Sequence, residues 1–304
     1  PLDEDMMQGF ASMLSAQTMF PVLSPDEMAG HYSESEIAKA VRLGTLTEEG
    51  GAWDLIARRV ASIPAYADAF SATYPDIKTP EDIRFTDISN AIAAFMEFEW
   101  RSDSAPFDAV LRGEAEFTAE QAAGAELFFG TAGCATCHSG PLLTDFGFHA
   151  MGQPQLGPGK GARFETHARD EGRFRVTGNP ADLYAFRTPS LRNVAQTGPW
   201  GHAGAHADLA AFVAAHTDPV AALANYDRSQ VILPEMAVRD WRIMDDPAEV
   251  AAIAAAVTTP PVALSDVDIA ALVVFLDSLT DPAAIDGRLG VPESVPSGLR
   301  VPNP

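Results

Sequence analysis

The tightest constraint in the sequence is five residues long. Cys134-Ala135-Thr136-Cys137-His138 holds both of the chain's cysteines, beside a histidine. Four chemistries compete for such a pair. A disulfide across so short a loop removes little unfolded-chain entropy. Zinc asks for four nitrogen or sulfur donors, and there is no second cysteine pair to supply them. A thioredoxin-type dithiol expects a βαβ setting, whereas the flanks here are Ala-rich and helical. Thioether attachment of a haem uses every residue: two thiols for the two vinyl groups and the adjacent imidazole for the iron. Covalent haem c is the expected cofactor, anchored on Cys134 and Cys137 with His138 as proximal ligand.

The neighbouring segments predict what holds such a group. Thr118-x-x-Gln121 is a capping box that opens a helix from Ala119 to about Phe129. Gly124 gives that helix a bare patch for close approach, and Gly130 and Gly133 break it before the haem motif. Ser265-x-x-Asp268 caps a second helix, with Ile269, Leu272, Val273 and Leu276 as an apolar stripe. Further helical patterns fall at about 34–43, 53–62, 66–73 and 88–100, punctuated by Pro64, Pro75 and Pro80. Extended structure is expected only around Phe174–Thr177. The fold class read from these signals is all-α and cytochrome-c-like.

Charge narrows the partners. Asp and Glu number 42 against 20 Lys and Arg, a net charge of −22 on a chain that is 47% apolar. Such a chain repels phosphate backbones, so nucleic acid and anionic membrane surfaces are excluded, while a small basic redox protein suits it. No apolar run reaches the roughly 18 residues that span a bilayer; the longest is Ile269–Leu276. With Pro1 at its start and no apolar leader, the chain reads as processed or partial.

An iron bound by one histidine has an open axial position, whose occupant decides between electron transfer and chemistry. Downstream candidates are His149, Met151, His167, His202, His206, His216, Tyr226, Met236 and Met244. Spacing alone does not choose among them.

The stretch Phe186-Arg-Thr-Pro-Ser-Leu-Arg-Asn-Val-Ala-Gln-Thr-Gly-Pro-Trp-Gly-His-Ala-Gly204 closely resembles the bacterial di-haem cytochrome c peroxidase/MauG family. So do Gly133–Asp145, Leu264–Thr280 and Ala16–Met28. In that family the distal ligand of the C-terminal haem stands seven residues after a Leu that follows a His-x-Gly turn. Counted from Leu209, this is His216, with Tyr226 as runner-up. The resemblance thus implies a bis-His, electron-carrying haem. It also places His202 in the turn near the haem, and offers Arg187 and Arg192 to haem propionates or, equally, to carboxylates. The backbone carbonyls of Thr197 and Pro199 align with donors to a calcium ion whose third protein ligand lies upstream in relatives.

The family's peroxidatic haem sits in an N-terminal domain with its own CxxCH, a motif this chain lacks. The resemblance makes Glu27 the acid–base carboxylate of that second haem; on its residues alone, Glu27 reads as a helix-start carboxylate after Pro25. Residues 1–108 are expected to form part of that N-terminal domain and a linker. Residues 109–304 would be the haem c domain with a Pro-rich tail. The implied function is a periplasmic haem oxidoreductase, whose second haem comes from a missing segment or a second chain. A mono-haem electron carrier, or a cytochrome subunit without peroxidase activity, is the alternative.

Overall fold

The computed structural model describes residues 7–157, 165–233 and 240–301. It is 46% helical and 3% strand. Its contacts gather into two units, Pro1–Arg101 with Asp286–Pro304, and Ser102–Ile285. Two stretches therefore part from the expected division at 108. Residues 102–108, expected as linker, join the second unit because the fully buried Asp281 carboxylate pins them. It accepts from the backbone N–H groups of Asp103 and Ser104, both at 2.8 Å, and from the Ser104 hydroxyl at 2.7 Å. The tail from Asp286 returns to the first unit. There the Glu99 carboxylate accepts the N–H groups of Arg288, Leu289 and Gly290 at 3.0, 2.6 and 3.0 Å.

The first unit carries α1 (Met13–Gln17), α2 (Glu36–Leu43), α3 (Ala52–Ala61), α4 (Pro64–Thr73) and α5 (Phe85–Glu99). Of these, α2 to α5 match the predicted patterns to within about three residues, while α1 had no predicted counterpart. Trp53 is fully buried between Met19 and Phe85, its indole N–H donating to the Met19 carbonyl at 3.4 Å. Two further small clusters form around Ile37 and around Ile77 and Ile83. The segment Ser24–Met28 is a turn rather than a helix start: the N–H groups of Glu27, Met28 and Ala29 all point to the Ser24 carbonyl.

In the second unit, α6 (Pro106–Leu111) precedes α7 (Ala119–Phe129), which packs against α12 (Asp266–Asp277) more extensively than any other described helix pair. Between them in the chain come α8 (Phe174–Thr177), α9 (Leu209–Thr217), α10 (Pro219–Ala224) and α11 (Pro247–Ala256); α13 (Pro282–Asp286) follows. Both predicted capping boxes form, Thr118 with Gln121 and Ser265 with Asp268. Gly124 is where the two helices meet: a Cβ there would lie 2.0 Å from the Ala271 carbonyl oxygen and 2.8 Å from Phe275 Cβ. The buried face of α12 is Ile269, Leu272, Phe275 and Leu276, so fully buried Phe275 takes the central place and Val273 lies at the edge. Phe275 meets Phe107, Phe117 and Phe128 at ring separations of 6.0, 6.0 and 4.9 Å.

Phe174–Thr177 is a single helical turn, not an extended stretch. Gly172 and Gly178 flank it with φ of 59° and 65°, and this left-handed backbone closes the turn at both ends. The two short strands instead are β1 (Phe148–His149) and β2 (Phe186–Arg187), antiparallel with Phe148 opposite Arg187. No helix of the described residues is long and apolar enough to cross a membrane.

Two predictions follow from this packing. Gly124→Ala should destabilise the second unit by about 3 kcal/mol, read by chemical denaturation, because backbone rather than a movable side chain blocks the new methyl. Asp281 is pushed upward by its burial, but the Ser104 and neighbouring N–H donors hold its carboxyl below the ordinary range. Its stabilising effect is therefore full above a pH of about 3.9 and is lost as pH falls through the depressed folded value. Asp281→Asn should cost about 2 kcal/mol at neutral pH, and its gap from the parent should close in acid; a pH-independent gap would contradict this.

Candidate haem site

The haem motif begins where α7 ends. Gly130 caps the helix, Gly133 adopts a left-handed φ of 71°, and Cys134–Thr136 form a short 3-10 turn that ends at Cys137. Both cysteines are unpaired and half-buried. Burial pushes the Cys134 thiol up to about 11, so it stays protonated at neutral pH. A thiol held protonated does not suit a redox dithiol. It is the form that adds across a vinyl group.

His138 Nδ1 lies 3.0 Å from the Leu143 carbonyl oxygen. A carbonyl only accepts, so Nδ1 carries the proton and Nε2 keeps its lone pair. Leu143 can turn back this way because it takes a φ of 53° and is itself almost fully buried. Burial pulls the His138 pKa below the ordinary histidine value, the Leu143 bond offsetting part of this, which favours the neutral imidazole an iron requires.

His216 repeats the arrangement. It stands in the last turn of α9, whose N-cap is Asp208, and its Nδ1 lies 2.9 Å from the Phe212 carbonyl oxygen. Burial pulls its pKa down as well. The two imidazoles are within electrostatic reach of each other. Together with the two thiols they form a donor set that fits a covalently attached haem with two nitrogen ligands.

Most of the other axial candidates are engaged elsewhere. The Tyr226 hydroxyl donates to the Ala205 carbonyl, and burial pushes its pKa up to about 12, so it remains a neutral phenol. His149 pairs with Asp145 at 2.8 Å and His202 with Asp170 at 2.9 Å, the His202 ring stacked on Phe186 at 3.6 Å. His167 approaches Glu171 at 3.8 Å. Met151 Sδ accepts from Thr259 Oγ1 at 3.3 Å, and Met244 packs into a separate cluster with Leu223 and Ile253. His206 lies buried against Phe212 and Tyr226. Met236 lies outside the described residues.

Arg187 and Arg192 part ways. Arg192 takes the carboxylate alternative: its guanidinium sits 2.7 Å from both Asp108 oxygens and donates twice to the Pro141 carbonyl. A propionate role for Arg192 is thereby replaced by a structural one that ties α6 to the loop after the haem motif. Arg187 is exposed on β2 and lies over the Phe146 ring at 5.9 Å, with no ion pair among the described residues. Thr197 follows the turn Val194–Gln196, and a cis bond joins Gly198 to Pro199. Among the described residues, the one His/Cys/Asp/Glu group close enough to share a metal is Cys137, Asp145 and His149, away from that segment in sequence. Glu27 is exposed in the Ser24–Met28 turn of the first unit.

Sequence reasoning missed Leu143 and Phe212, because a backbone carbonyl has no signature in the sequence. The Asp145–His149 pair had a signal, an acid and a histidine four apart beside the motif. Its third member, Cys137, is not a metal donor once it carries a thioether.

Comparison with known proteins bears on the family. The family described as di-haem cytochrome c peroxidase matches residues 3–116. The methylamine utilization protein MauG of Methylorubrum extorquens is 32% identical over 200 residues, covering 64% of this chain and 46% of that protein. The cytochrome c551 peroxidase of Pseudomonas aeruginosa is 32% identical over 182 residues, covering 60% and 48%. The chain thus spans about half the length of these curated relatives. Among solved structures, a MauG-like protein associated with microbial copper homeostasis aligns over 90% of this chain and 70% of its own, at 26% identity and a TM-score of 0.57. The diheme peroxidase BthA of Burkholderia thailandensis shares the fold at 22% identity and a TM-score of 0.53, over 97% of this chain and 69% of its own. With its haem c motif and these relatives, the chain is similar to the di-haem cytochrome c peroxidase/MauG family, which supports a haem oxidoreductase at that coarse level.

Proposed function

We propose that this chain is the electron-transfer portion of a periplasmic di-haem oxidoreductase. The observation that carries the reading is the matched pair of imidazoles, each with Nδ1 tied to a carbonyl at 3.0 and 2.9 Å and each held neutral by burial. When bound, the haem supplies one-electron redox chemistry. Cys134 and Cys137 would hold it covalently, and His138 and His216 would offer Nε2 to the iron. Two nitrogen donors would leave peroxide no place there, so the group would serve electron transfer at this site. Arg187, without an acidic partner among the described residues, would neutralise a propionate.

Glu27 serves the second haem, borne by a further segment or a second chain. Its carboxylate would take a proton from one peroxide oxygen and return it to the other. Reduction of peroxide to water, or oxidation of a protein partner, is the outcome. A small basic redox protein delivers the electrons, in keeping with the net charge of −22. The backbone carbonyls of Thr197 and Pro199 are offered to a calcium ion completed from outside this chain. Covalent haem attachment takes place outside the bacterial cytoplasm, hence the periplasmic assignment. On its own, a chain with a single CxxCH also suits a mono-haem electron carrier.

Intact-mass analysis of natively purified protein, with a haem stain on the gel, separates the two. The proposal expects a second haem-bearing polypeptide, or one longer chain with two haems, and turnover of hydrogen peroxide with a reduced cytochrome. This chain with one haem and no turnover would establish the carrier instead. For the axial ligands, His216→Ala should convert a six-coordinate low-spin absorption spectrum to a high-spin or ligand-exchangeable one. Tyr226→Phe should leave it unchanged; the reverse pattern would make Tyr226 the ligand.

A further inference from the structure

Five rings of the second unit run without a break from a candidate iron ligand to a half-buried tryptophan. His216 meets Phe212 edge-on at 4.4 Å between ring centres, and Phe212 meets His206 at 5.1 Å. His206 meets Tyr226 at 5.4 Å, and Tyr226 meets Trp241 at 6.2 Å. Packing alone favours a different choice of rings: those around His138 are Phe128, Phe129 and Phe275. Here a buried imidazole and a phenol are used, and each costs free energy unless its polar atoms are bonded. Both are bonded. His206 pairs with the Gln230 side chain, and its backbone exchanges hydrogen bonds with Trp200 at 2.8 and 3.0 Å. The Tyr226 hydroxyl donates to the Ala205 carbonyl. These bonds fix where the middle rings stand, so the ring contacts are held in place.

The outer end carries negative charge. The Arg228 guanidinium lies over the Trp241 ring at 4.7 Å and is paired with Asp245 at 2.8 Å. Asp245 also donates its N–H to the Trp241 carbonyl at 2.8 Å. Asp227 follows Tyr226 in the chain, Asp240 precedes Trp241 and Asp246 follows Asp245, so four carboxylates stand against two guanidinium groups, Arg228 and Arg242. Electron tunnelling weakens exponentially with distance, and less steeply through contiguous π systems than across saturated chain. We propose that the rings from Trp241 to His216 are the route by which a small basic one-electron carrier protein, docked on the acidic rim at Trp241, exchanges electrons with this site. One electron crosses per event. The carrier changes oxidation state by one, the haem iron by one in the opposite sense, and no bond forms or breaks. Tyr226 and Trp241 keep their protons and serve as a bridge, not as oxidised intermediates. The route rests on the reading of His138 and His216 as ligands of an electron-carrying haem.

The test is stopped-flow mixing of the ferrous, haem-loaded protein with ferric lysine-rich cytochrome c, and separately with ferricyanide, a small anion that needs no docking. Trp241→Leu and Tyr226→Leu each remove a ring. Both should slow the cytochrome c reaction at saturation severalfold or more, with the low-spin spectrum and the ferricyanide rate unchanged. Trp241→Phe and Tyr226→Phe should restore most of the rate, and the parent rate should fall with added salt. Zinc-substituted cytochrome c, which docks without exchanging electrons in the dark, should move the Trp241 indole N–H resonance, identified by its loss in Trp241→Leu. Parent-like rates in both leucine variants, equal slowing with ferricyanide, or oxidation by ferricyanide but not by cytochrome c would overturn the route and leave the electron-carrying reading intact. No exchange with either oxidant would overturn that reading, and the route with it.

Discussion

The close approach of α7 and α12 at Gly124 sets the geometry of the second unit. A methyl group there would lie 2.0 Å from a backbone oxygen, so the two axes can meet as they do only with hydrogen at that position. Phe128 and Phe275 then pack at 4.9 Å, one turn further along α7. The Phe128 ring in turn stands 6.5 Å from His138. Because α7 ends at Gly130 and the 3-10 turn begins at Cys134, few rotatable bonds separate the helix pair from the attachment residues. The loop inherits its position from the helices. A haem tethered to a loop without that support would be attached but not oriented, and electron transfer depends on orientation of the iron ligands.

Burial and hydrogen bonding act on the site in a coordinated way. Desolvation favours the uncharged form of three groups of the candidate haem site: the Cys134 thiol, the His138 imidazole and the His216 imidazole. The carbonyls of Leu143 and Phe212 then choose the tautomer. Neither effect alone is enough. Burial without a fixed tautomer leaves the lone pair on either nitrogen, and a fixed tautomer without burial leaves the ring open to protonation near neutral pH.

Local signals in the sequence translated well into structure, and non-local ones did not. The Thr118 and Ser265 boxes each involve residues three apart, so their helices were legible to within a residue. Cys134, Cys137 and His138 were legible for the same reason. Phe174–Thr177 misled because Phe, Val and Thr favour strands, whereas the flanking left-handed glycines decide the conformation. The domain division failed at 102–108 because its cause, Asp281, is 177 residues from Ser104 in the chain. Arg192 and Asp108 are 84 residues apart, and among 42 acidic residues the sequence had no means of pairing them.

The first unit shows the complementary problem. Its interior is divided among three small clusters, while Ile92, Phe95, Phe98 and Trp100 lie 40–53% exposed on or next to α5. Contiguous aromatic surface of this kind is characteristic of a face that meets another element. Glu27, in the same unit, is an exposed carboxylate in a turn. An acid–base carboxylate works best with its pKa raised toward the working pH, and desolvation is the means of raising it. In the proposed enzyme, the segment that bears the second haem would be the source of that desolvation.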